Sequence, residues 1–134
     1  MKKACCAVLT TALIASSVSL FSTSDAQADP AFKKRFEALY VKKNSTDPKD
    51  MAFAATVKKA KCNLCHKGKK KKNRNAYGEQ LAKLLDRKKD RKNKEKIDAA
   101  IKKVAEMKSD AGDENSLTYG ELIAQGKLPA GDTK

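Results

Sequence analysis

Beyond residue 30 the apolar positions recur at helical spacing, and no window alternates with the period of two that a half-buried strand requires. Phe32, Phe36, Leu39 and Tyr40 predict an amphipathic helix over residues 30–43, entered through Asp29 as N-cap and Pro30 at the first helical position. Asn44 to Asp50 carries Asn, Ser, Thr, Asp and Pro and reads as a loop. Met51, Phe53, Ala54 and Val57 predict a second helical stretch, and Tyr77, Leu81, Leu84 and Leu85 a third. Ile97, Ile101 and Val104 mark a fourth, with Met107 or Lys108 at its end. A short last helix is expected from Thr118, where Thr118-x-x-Glu121 has the capping-box form, to Gly126, with Pro129 close behind. The predicted class is all-α, with about four to five short helices.

One internal echo stands out. Tyr77-Gly78-Glu79-Gln80-Leu81-Ala82 resembles Tyr119-Gly120-Glu121-Leu122-Ile123-Ala124. Two similar helix starts account for it, since Glu in a first turn complements the helix dipole. A sharper alternative places both tyrosines against a bound group.

The first 28 residues have a different pattern. Met1-Lys2-Lys3 is a short basic start, Ala4 to Phe21 is small and apolar without a charge, and Ala26-Gln27-Ala28 is a small-x-small cleavage pattern. Residues 1–28 are therefore expected to be a secretory signal peptide, leaving residues 29–134 as a single small domain. The alternative is an uncleaved membrane anchor, against which the Thr and Ser content and the cleavage pattern argue. Cys5 and Cys6 are expected to leave with the signal, so export and cleavage leave Cys62 and Cys65 as the only thiols.

The chain carries 30 Lys and Arg against 16 Asp and Glu, a formal charge of +14. Lys67, Lys69, Lys70, Lys71, Lys72 and Arg74 form one basic run, and Arg87, Lys88, Lys89, Arg91, Lys92, Lys94 and Lys96 form another. Such runs read either as solvated faces or as a rim that steers acidic partner proteins. Nucleic acid is not an expected partner: no recognised binding motif accompanies the charge.

Candidate chemistry is concentrated in Cys62-Asn63-Leu64-Cys65-His66, the C-x-x-C-H pattern for attachment of c-type haem. The two-residue gap suits two thiols adding to the vinyl groups along one porphyrin edge, and the adjacent imidazole can then reach the iron. A zinc site would need a fourth ligand from elsewhere, and the segment itself offers only two thiols and one imidazole. A thioredoxin-like redox pair needs a strand before it, and none is predicted there. One covalent haem is therefore the expected cofactor, and it would act as an apolar staple in a small core.

With this motif, the export signal and helices on both sides, the chain resembles the small exported bacterial cytochromes c of the single-haem type. The resemblance implies thioether bonds at Cys62 and Cys65, His66 as proximal iron ligand, and a methionine on the opposite face of the haem. It departs from the family pattern in the roughly thirty residues between the expected cleavage site and Cys62. His66 is the only histidine, so a second histidine ligand within the chain is excluded. Met107 falls where the family's distal ligand would lie; Met51 precedes the motif, and a position without methionine is the third option. The expected function is a periplasmic single-electron carrier meeting acidic redox partners, without membrane insertion after cleavage, and not an enzyme. The alternative is a haem-based gas or ligand binder with an open distal position. A haem-free basic scaffold with a Cys62–Cys65 disulfide comes third.

Overall fold

The computed structural model describes residues 30–70 and 72–131. The expected signal peptide, the Asp29 cap and Lys71 lie outside the described residues. The class is all-α: six helices and no strand among the described residues.

Helix α1 spans Pro30–Tyr40, α2 Pro48–Ala60, α3 Ala76–Leu84, α4 Arg87–Asp90, α5 Lys94–Ala105 and α6 Tyr119–Ala124. A 3-10 turn, Lys61–Leu64, follows α2 directly. Each helix after the first starts at a side chain that accepts from an otherwise orphaned backbone N–H. Asp47 accepts from Lys49 N at 2.7 Å, Asn75 from Gly78 N at 2.8 Å, and Asp86 from Lys88 N and Lys89 N. Asn93 accepts from Lys96 N, and Thr118 and Glu121 complete the expected capping box.

Three helix boundaries differ from the expectation. Helix α1 stops at Tyr40 rather than residue 43, and α5 stops at Ala105, short of Met107. Helix α2 starts at Pro48, three residues earlier than expected, because Asp47 caps it and Pro48 suits its first position. Helix α4 was not foreseen. Its four residues lie inside the second basic run, where apolar spacing gives no signal, and it exists because Asp86 caps it and Asp90 closes it.

Helix α5 is the central element, packing against α1, α3, α4 and α6. Ile97, Ala100, Ile101 and Val104 form its buried stripe at helical spacing. They join Phe36, Phe53, Val57, Leu64, Tyr77, Leu81, Leu85, Tyr119, Ile123 and Leu128 in one contiguous core. Three ring contacts run through it: Tyr40 to Phe36 at 5.2 Å between centroids, Phe36 to Tyr77 at 6.0 Å, and Tyr77 to Tyr119 at 5.3 Å. The last two meet edge to face, a geometry favoured by the ring quadrupoles. At the far end, Gly126 takes φ +76° and Lys127 N donates to Leu122 O, so α6 ends in a Schellman turn that needs glycine.

The echo between the two Tyr-Gly-Glu segments has a structural basis. Each tyrosine is buried in the core, 0% and 2% exposed for Tyr77 and Tyr119, and each glycine lies under a backbone carbonyl. A Cβ at Gly78 would come within 1.9 Å of Cys65 O, and one at Gly120 within 2.9 Å of Ala105 O. Each helix also follows a loop closed by an isolated antiparallel bridge, His66 with Arg74 and Lys108 with Thr118.

Five carboxyls are held below their ordinary range. Ser45 and Lys42 stabilise ionised Asp50, the Lys89 N–H does so for Asp86, and Lys96 does so for Asp90. Arg35, bound bidentately across α1 and α5, lowers Asp98, and the Thr118 N–H lowers Glu121. A depressed folded-state pKa adds stability that is complete above the unfolded value and is lost as pH falls through the folded one. The thermal midpoint should therefore be flat from about pH 7 to 5 and fall below about pH 4. A midpoint that held or rose below pH 4 would contradict this assignment.

Candidate functional site

The segment Cys62–His66 begins where α2 can no longer continue. Lys61 has φ +50° and ψ −118°, a conformation that costs a non-glycine residue on the order of 1–3 kcal/mol. That bend turns the chain into the 3-10 turn carrying Cys62, and Leu64 anchors the turn in the core at 2% exposure. Cys65 N and His66 N both donate to Cys62 O, at 3.2 and 3.1 Å, so the motif is wound around a single carbonyl.

Three of the residues singled out from the sequence are thus one piece of structure. Cys62, Cys65 and His66 are each half-exposed, and both cysteines are thiols rather than a disulfide. Cys65 packs against the core edge, and burial, then the neighbouring Cys62, pushes its thiol up to about 12. A redox or nucleophilic cysteine needs the opposite shift. Among the described residues, no three His, Cys, Asp or Glu side chains gather around a point where one metal ion could bind. A mononuclear zinc needs such a gathering. Haem does not, because its thioether carbons and its iron are different atoms. Two thiols and an imidazole on one half-exposed turn fit that group.

Met107, the fourth, lies elsewhere. It follows the end of α5, half-buried against the core, and its carbonyl accepts from Tyr119 N at 3.0 Å. Met51 is on the outer side of α2 and 58% exposed. His66 lines a cleft of about 500 Å³ together with Asn63, Lys67, Arg74, Glu79 and Ala130, and neither methionine is among its described walls. That volume lies within the usual range for small-molecule sites.

Two residues that spacing arguments did not reveal hold the turn in place. Asn75, the cap of α3, donates from its side-chain amide to Asn63 O at 2.9 Å and Leu64 O at 3.2 Å. Its backbone N–H donates to Cys65 O at 3.1 Å. Gly78 then lets the first turn of α3 lie directly on the Cys65 carbonyl. An Asn before a helical stretch is a readable cap; its reach back across eleven residues is not. Tyr77 is also notable: its hydroxyl is fully buried without a hydrogen-bond partner, and burial and nearby Cys65 raise its pKa strongly. Such a group costs about 1–3 kcal/mol until an acceptor is supplied.

The basic run after His66 is exposed at Lys67, Lys69, Lys70, Lys72 and Arg74, on the loop that returns to α3. No helix among the described residues is long and apolar enough to cross a membrane. Compared with known protein families, curated proteins and solved structures, the chain matches none.

Gly78→Ala places a methyl group 1.9 Å from the Cys65 carbonyl oxygen, a backbone atom with no easy retreat. Urea unfolding should show a loss of about 3 kcal/mol or more, whereas Gly112→Ala, whose nearest neighbour is a side-chain oxygen at 3.4 Å, should cost far less. Equal losses would mean that the close approach is not tight in solution.

Proposed function

We propose that the chain is an exported single-electron carrier holding one covalent c-type haem. The carrying observation is the half-exposed Cys62–His66 turn, which holds two thiols and an imidazole together without directing them at a common point. In this reading Cys62 and Cys65 form the thioether links and His66 ligates the iron. The bound group supplies a one-electron couple at a fixed place on the surface.

The chain's own residues supply the rest. Asn75 and Gly78 hold the turn against α3, and Leu64 fixes it to the core. The exposed Lys67, Lys69, Lys70, Lys72 and Arg74 surround the same loop with positive charge, which favours encounter with acidic redox proteins. No catalytic residue is assigned. Residues 1–28 would direct the chain to the periplasm and be removed.

A second reading, a haem-based gas or ligand binder, is favoured by the cleft at His66, whose described walls include neither methionine. In that reading the iron would take a small ligand; in the first, an internal side chain, Met107 or else Met51, would ligate it instead. Carbon monoxide added to the reduced protein separates them: a spectral shift supports the open position, and an unchanged spectrum supports a strong internal ligand.

Cys62→Ala combined with Cys65→Ala should abolish haem that survives denaturation, as read by absorption of the denatured chain. Retention of haem after denaturation would sink the attachment assignment. Raising salt from about 10 to 500 mM should slow electron exchange with an acidic partner roughly tenfold or more. A rate indifferent to salt would remove the lysine rim from the proposal.

A further inference from the structure

The carbonyls of Asn63, Leu64 and Cys65 lie where a helix would normally end in water, yet all three are bound by one residue. Asn75 reaches Asn63 O and Leu64 O with its side-chain amide and Cys65 O with its backbone N–H, and its amide nitrogen also faces His66 O at 3.5 Å. The other end of the same amide accepts from Gly78 N at 2.8 Å. Only one orientation of the amide serves both ends, because the carbonyls can only accept and the Gly78 N–H can only donate. The residue is half-buried, so water does not readily replace these bonds.

We propose that Asn75 is the positioning residue for the Cys62–His66 segment, fixing its backbone so that both thiols and the imidazole are presented in one set arrangement. This inference rests on the haem reading above and assigns to one side chain the task of holding the attachment turn. The cap on α3 is the lesser of its two roles. Other caps in the molecule perform that role without touching the motif; Asn93 accepts from Lys96 N at 3.0 Å in the same way at the start of α5.

That pairing supplies the test. Asn75→Ser keeps a capping oxygen but is too short and lacks the amide donors needed to reach Asn63 O and Leu64 O. Asn93→Ser makes the same exchange away from the motif and serves as the control. In the haem-free full chain, the rate of Cys65 alkylation by iodoacetamide, located by tandem mass spectrometry, should rise about tenfold in Asn75→Ser, the factor expected from losing two hydrogen bonds. Asn93→Ser should leave it unchanged. In the haem-loaded chain, the reduction midpoint, followed by spectroelectrochemical titration, should shift in Asn75→Ser and hold in Asn93→Ser.

If the two variants behave alike in both measurements, the proposal is overturned. Faster alkylation with an unmoved midpoint also overturns it, since the segment would then be held for folding alone. Should Asn75→Ser fail to fold, Asn75→Asp keeps the acceptor and removes the donors, and the same two outcomes decide. A wild-type chain that takes no haem at all defeats the haem reading separately, and the alkylation comparison still judges the clamp.

Discussion

The close approach of α3 to the backbone of Cys65 is the constraint around which the site is built. A 3-10 turn ends with carbonyls that lack helical partners, and here the start of the next helix supplies them. This works only if the helix comes near enough for Asn75 to reach back, which requires the bare backbone of Gly78 against Cys65 O. The same placement drives Tyr77 into the centre of the core, where it meets Phe36 and Tyr119. One glycine thus links the geometry of the Cys62–His66 turn to the packing of the whole bundle.

Much of this was legible from residue spacing. The apolar stripes of α1, α3 and α5, the Thr118 capping box and the Gly126 stop all appear where the 3.6-residue period and cap chemistry place them. The motif is legible as a string, and the fold places its two thiols and its imidazole on one half-exposed turn. What spacing could not show is tertiary. Helix α4 has no apolar stripe and depends on Asp86 and Asp90, and Asp90 is buried at 6% exposure inside what reads as a run of surface charge. Asn75 reads as an ordinary cap until the turn eleven residues earlier is brought beside it. The echo of Tyr-Gly-Glu was visible, but the reason for its glycines lies in carbonyls far away in sequence.

A chain of net charge +14 must place its few carboxylates well. Here they are used as caps and as ties. Asp98 holds Arg35 across α1 and α5, Asp90 holds Lys96 across α4 and α5, and Asp50 receives Lys42 and Ser45 at the start of α2. None of these ties involves a lysine of the run that follows His66. The loop of residues 67–75 carries no Asp or Glu of its own, so the segment next to the motif is strongly positive, with Glu79 the acid that shares its cleft.

The two bridge-closed loops, one after His66 and one after Met107, feed helices whose first turns touch through Tyr77 and Tyr119. Their tyrosines lie in a rigid, closely packed interior, where displacement of one ring must be taken up by its neighbour. The 108–118 loop and the first turn of α3, which lies on the Cys65 carbonyl, are therefore joined by one edge-to-face contact. Shrinking either ring would remove packing from both helix starts at once, so the Cys62–His66 turn and the 108–118 loop share one piece of the core.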